Sequence, residues 1–145
     1  MNRIITLYLL LALMSVPLQA QEEPLDPIDQ YTFEPELVMQ NQRAIALTEQ
    51  QRTSIKKEIQ VAQAKFTELE WDLQSEMESF ISLLRKERVD ERRALDVLKK
   101  VLALESEIKQ THLVLAIRLK NLLTAEQQEK LRKLRNQMHE ERNDE

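Results

Sequence analysis

Residues 48–84 read TEQQRTSIKKEIQVAQAKFTELEWDLQSEMESFISLL, and their spacing decides the fold. The apolar side chains are Ile55, Ile59, Ala62, Phe66, Leu69, Leu73, Met77, Phe80 and Leu84, separated by 4, 3, 4, 3, 4, 4, 3 and 4 positions. At about 100° per residue they stay within about 40° of one line, which is an amphipathic helix. A helix over residues 48–86 is about 57 Å long. It cannot bury such a stripe against itself and needs an equally long partner.

That partner lies downstream. The charged cluster at residues 85–91 interrupts the stripe, and Asp90 is placed to cap the next helix. A helix running to Leu122 carries Val97, Val101, Leu104, Ile108, Leu115, Leu119 and Leu122 as its main stripe, flanked by Ala94 and Leu98. Leu95, Leu102, Leu113 and Ile117 form a second shoulder roughly 100° round the same helix. Two antiparallel helices need one stripe each. The shoulder therefore calls for a terminal helix, a second subunit or a client protein to cover it. Shorter helices are expected over residues 35–46, opened by Pro35, and over residues 125–141, with Leu131, Leu134 and Met138 on one face.

Composition agrees. The 145 residues contain no glycine, so the usual residue for left-handed turns and tight hairpins is missing. Leu, Glu, Gln, Lys, Arg and Ala favour helix. The fold class expected is all-α: a long antiparallel helical hairpin with short first and last helices. There is no cysteine, which excludes disulfides, thiolate metal sites, cysteine nucleophiles and lipid attachment through cysteine. The net charge of −4 argues against nucleic acid as a partner.

The first 20 residues have the order of a secretory signal. Arg3 gives a basic start, residues 4–14 an apolar run interrupted only by Thr6, Pro17 a break and Ala20 a small residue for cleavage. Eleven residues are too few for a comfortable membrane span. Export with cleavage after Ala20 is expected, an uncleaved anchor being the alternative. Residues 21–34 hold Pro24 and Pro27, several acidic groups and no basic one, and read as a flexible acidic leader. A single helical domain follows over residues 35–141, and residues 142–145 should fray.

Two short segments share the pattern L-T-x-x-Q: Leu47, Thr48 and Gln51, then Leu123, Thr124 and Gln127. In each, Thr can accept at the N-cap while Gln reaches back to the cap N–H, which is a capping box. The residues that a hydrophobic staple would use, Arg52 and Gln128, are polar, so the leucines are expected to pack on another helix. With two such motifs opening the second and last helices, the chain resembles the Spy/CpxP family of periplasmic proteins over about residues 35–138. Residues 35–40, PELVMQ, also resemble the opening of the heavy-metal-resistance branch of that superfamily. The resemblance implies a four-helix protomer that dimerises into a curved cradle. It implies a periplasmic, ATP-independent chaperone or envelope stress-response protein that binds unfolded or envelope proteins, without a cofactor. The related branch implies a metal sensor or metal-binding protein, taking a divalent ion such as zinc, nickel, cobalt or copper.

The residues add their own candidates. No nucleophile–base constellation can be named, so no enzyme is expected. His112 falls at the centre of the stripe of the third helix, with Glu105 two turns earlier, and is expected to be hydrogen-bonded inside the bundle or at a dimer contact. Glu105, His112, Met138 and His139 are the candidate metal ligands of the alternative reading. Trp71 lies about 160° from its helix's stripe, either under a terminal helix or used in recognition. Arg92, Arg93, Lys99, Lys100, Arg118 and Lys120 are basic groups able to steer acidic partners, or simply a solvated face. A homodimer is expected, and no stable membrane insertion once the signal is removed.

Overall fold

The computed structural model describes residue 28 and residues 30–143. The expected signal segment and most of the acidic leader lie outside the described residues. Within them the chain is all-helical: α1 (Pro35–Gln40), α2 (Glu49–Leu84), α3 (Glu91–Leu122) and α4 (Ala125–Asn143). No helix among the described residues is long and apolar enough to cross a membrane.

α2 and α3 pack along each other. Ion pairs join Glu58 to Arg118, Lys65 to Glu107 and Glu76 to Lys100. One series of numbers rises as the other falls, so the two helices run in opposite directions. Thirty-six residues give α2 a length of about 54 Å.

The buried line of α2 is Ile55, Ala62, Leu69 and Leu83, at multiples of seven. That of α3 includes Ala94, Val101 and Leu115, again seven or fourteen apart. A seven-residue repeat is shorter than two straight turns of helix, and it imposes a left-handed supercoil on the pair. The sequence spacing ended on Leu84, but the structure buries Leu83 to 7% exposure and leaves Leu84 at 51%. Glu76 explains the difference. It occupies the fourth position of the repeat, half-buried, and reaches Lys100 at 3.3 Å. A charged residue on the line hides the repeat from any reading of apolar spacing.

The main core sits at one end of the pair. Phe33, Val38, Ile45, Leu47, Ile55, Leu115, Leu119, Leu123 and Leu131 bury together there, gathered from every helix and from the chain before α1. Phe33 is only 1% exposed. The Arg135 guanidinium lies 5.9 Å from its ring centre. Arg135 also donates to the Thr32 carbonyl at 3.2 Å and the Gln30 carbonyl at 3.1 Å. The last residues of the expected flexible leader are thus part of the folded unit, because one aromatic ring outweighs their acidic surroundings.

α1 is shorter than expected. Asn41 Nδ2 donates to the Leu37 carbonyl at 2.8 Å, competing with the helical ladder. The chain then coils through residues 41–46 and ends on Ala46 at φ 51°. Ala46 N–H donates to Arg43 O at 3.1 Å and Leu47 N–H to Gln42 O at 3.0 Å, the two bonds of a Schellman motif. The left-handed position falls to alanine in a chain without glycine, at a steric cost of about 1–2 kcal/mol.

Candidate functional site

The two L-T-x-x-Q motifs form two capping boxes. Gln51 N–H donates to Thr48 Oγ1 at 3.1 Å, and Thr48 N–H donates to Gln51 Oε1 at 3.0 Å. Gln127 N–H donates to Thr124 Oγ1 at 3.2 Å, and Thr124 N–H to Gln127 Oε1 at 2.9 Å. Asp90 caps α3 similarly, accepting from Arg93 N–H at 3.1 Å. Leu47 and Leu123 both enter the main core, off their own helices as expected.

What the sequence did not reveal is that the two boxes touch. Gln51 Nε2 donates to Gln127 Oε1 at 2.8 Å, and Gln127 Nε2 donates back to Gln51 Oε1 at 3.1 Å. The remaining amide hydrogens go to Leu122 O at 2.8 Å and Ala46 O at 3.5 Å, each the residue before the other motif's leucine. The arrangement is a pseudo-two-fold clasp in which both amides are fully paired. It ties the start of α2 to the end of α3 and the start of α4. The repeat of the motif is the signal that could have found it. The clasp fixes geometry and leaves no polar atom aimed at a ligand, so it is architecture rather than a binding centre.

The two long faces of the α2–α3 pair differ. One carries the three cross-helix ion pairs, with Glu58 to Arg118 at 2.9 Å and Lys65 to Glu107 at 3.1 Å. The Glu107 carboxylate, accepting from Lys65, raises that ammonium above the usual lysine range. Val61 and Val114 line a groove on this face together with those charges. Exposed pairs of this sort contribute little stability. They do set charge along this face, beside Val61 and Val114.

The other face is open. Phe66 meets His112 there, with ring centroids 4.1 Å apart. Leu84 lies five whole turns from Phe66 and Met77 within about 20° of it, so both project on that side. On α3, Leu102, Leu95, Leu113 and Ile117 lie about 80–140° beyond His112, away from the buried line. Their exposures are 53%, 47%, 38% and 44%. No cross-helix ion pair spans this face among the described residues. The terminal helices do not cover the shoulder.

Of the two places expected for His112, inside the bundle or at a dimer contact, the protomer does not show the first. It is exposed, its ring against Phe66, and it lines a cavity of about 440 Å³ with Thr32, Phe33, Lys109 and Leu113. The buried line passes through Val101, Leu115 and Leu119, leaving His112 on its open flank. Glu105 and Met138 are exposed and His139 half-buried on α4. No group of three potential His, Cys, Asp or Glu ligands converges among the described residues. Glu105, His112 and His139 are therefore not gathered into one group.

Trp71 is 68% exposed, so no terminal helix covers it. Of the basic candidates, Arg118 is engaged by Glu58, Lys100 by Glu76 and Lys99 by Asp96 at 3.8 Å. Arg92, Arg93 and Lys120 take no ion pair among the described residues. On α4, hydrogen bonds from Arg132 hold the Glu129 carboxyl below the usual carboxylate range. No family model, no curated protein and no solved structure matches this chain.

Proposed function

We propose that the protein is an exported, periplasmic binder of unfolded or envelope proteins that works without nucleotide, in the manner of the Spy/CpxP proteins it resembles. The observation that carries this reading is the open face. Four large aliphatic side chains on α3, with Met77 and Leu84 beside them on α2, stay accessible along a surface several turns long. Leu95 and Leu102 form one exposed apolar group and Leu113 and Ile117 a second, with the exposed Glu105, Ser106 and Lys109 between them, and large exposed apolar groups mark a binding site. Removing one such side chain fully from water is worth about 1.5–3 kcal/mol, so several partial contacts hold an unfolded segment reversibly.

Arg92, Arg93 and Lys120 on the same helix supply steering toward acidic segments. The helical hairpin pairs with a second copy into a cradle-like homodimer, and the open face then serves as dimer contact, client surface or both. Suppression of aggregation of a destabilised client tests the reading. Leu102→Glu with Leu113→Glu is expected to abolish suppression while far-UV circular dichroism keeps its helical amplitude. A double variant that still protects the client at wild-type levels overturns it.

A further inference from the structure

The end of the α2–α3 pair remote from the core is the most exposed part of the described chain. Every residue from 84 to 93 is exposed. Leu83 and Ala94 bury just behind it and hold the turn shut. Ile81, Leu84, Val89 and Leu95 stand out at this tip with 43–51% of their surface free. Leu84 and Leu95 project from the same open face.

Arg85, Lys86, Arg88, Arg92 and Arg93 lie among them, against Glu87, Asp90 and Glu91. Five positive and three negative groups leave the tip at +2, in a chain whose total is −4. Two of the three acids are further offset. Asp90 accepts from Arg93 N–H, and Glu91 opens α3, so both face the positive end of that helix. None of the five basic groups takes an ion pair among the described residues.

We infer that this tip is a docking surface for an anionic phospholipid bilayer, on which the protein rests reversibly. Charge complementarity selects the partner's sign. The shape selects a bilayer over an acidic protein: a knob of ten exposed residues presents no large complementary area of the kind a stable protein interface requires. A fluid headgroup layer conforms to a knob. Basic side chains attract its anionic lipids, and the four aliphatic groups enter the boundary with the acyl chains. Binding of this kind is peripheral, and no helix among the described residues is long and apolar enough to cross the layer. The inference does not depend on client capture, and its test changes only side chains of the turn between α2 and α3, none of which the client face uses.

Among the described residues, every core side chain lies at or after Phe33. The chain from residue 21 onward holds all of these side chains and lacks the apolar run at residues 4–14, which would bind lipid by itself; its circular dichroism is compared with that of the full chain. Co-sedimentation with vesicles of phosphatidylglycerol and phosphatidylcholine is compared with vesicles of phosphatidylcholine alone. The protein is expected to pellet with the anionic vesicles only, and less as salt rises. Arg85→Glu, Lys86→Glu and Arg88→Glu together should lower the partition coefficient at least about tenfold, with circular dichroism unchanged. Val89→Ser, which removes an exposed aliphatic group of the turn and adds no charge, should lower it as well. Three outcomes overturn the inference: no pelleting with anionic vesicles, pelleting that the charge reversals leave intact, or displacement from vesicles by a soluble polyglutamate peptide that binds the tip more tightly.

Discussion

Gln51 and Gln127 each serve twice, closing a cap and bonding the other's amide. Removing one strands the other, and an unpaired buried amide costs about 1–3 kcal/mol. Gln51→Ala and Gln127→Ala should each destabilise by that amount in urea unfolding. The double variant should cost clearly less than their sum, since the second removal strands nothing new. Additive losses would mean that the two glutamines act independently. Thr48→Ala and Thr124→Ala lose only a cap and should cost about 1 kcal/mol each by the same measurement. The caps themselves were legible, because a capping box is written within four consecutive residues. The clasp was not, since nothing local says that positions 76 apart in the chain will meet. That His112 lies outside the protomer's interior was not legible for a related reason: its helical angle is close to the buried line, but exposure depends on what the partner helix leaves uncovered.

At the scale of elements, helix number and the ends of α2, α3 and α4 follow from caps and spacing to within two or three residues. The end of α1 does not. Its coil relies on Asn41 bonding back to Leu37 and on alanine in a left-handed position that composition argued against. Ala46→Gly should therefore raise stability by about 0.5 kcal/mol, relief of strain being partly offset by a more flexible unfolded chain. Ala46→Val should lower it by more than 1 kcal/mol, since a β-branched residue is a marked outlier at positive φ. Equal midpoints for the two variants would contradict the φ at this position. Surface charge on α4 gives a pH dependence of known sign. The Arg132 hydrogen bond lowers the Glu129 pKa, so its contribution is present above the usual carboxylate range and is lost as pH falls through the lowered value. Lys65 is the mirror case: held by Glu107, it contributes below the usual lysine range and loses this as pH rises through the raised value. Carboxyl-detected NMR should show Glu129 titrating at higher pH in Arg132→Ala.

At the scale of the whole molecule, the chain spends its core on one end and leaves the other two helices thick. That division follows from where apolar side chains could be gathered: α1, α4 and Phe33 all reach the same end. The shoulder of Leu95, Leu102, Leu113 and Ile117 was legible as surplus apolar surface, because no second stripe on α2 could match it. Its place opposite an ion-paired face was not, since the pairs join helices whose register only the fold determines. The two faces offer an internal control. Leu102 and Val114 are similarly exposed, at 53% and 44%, but lie on opposite sides of the pair. The central claim is that an unfolding client sits on the open face. A photo-crosslinking residue placed at position 102 or 113, and in separate proteins at 61 or 114, tests it directly in the presence of a destabilised client. Crosslinks from 102 and 113, with little or none from 61 and 114, are the result expected. Equal crosslinking from both faces, or crosslinks from 61 and 114 alone, would contradict the account.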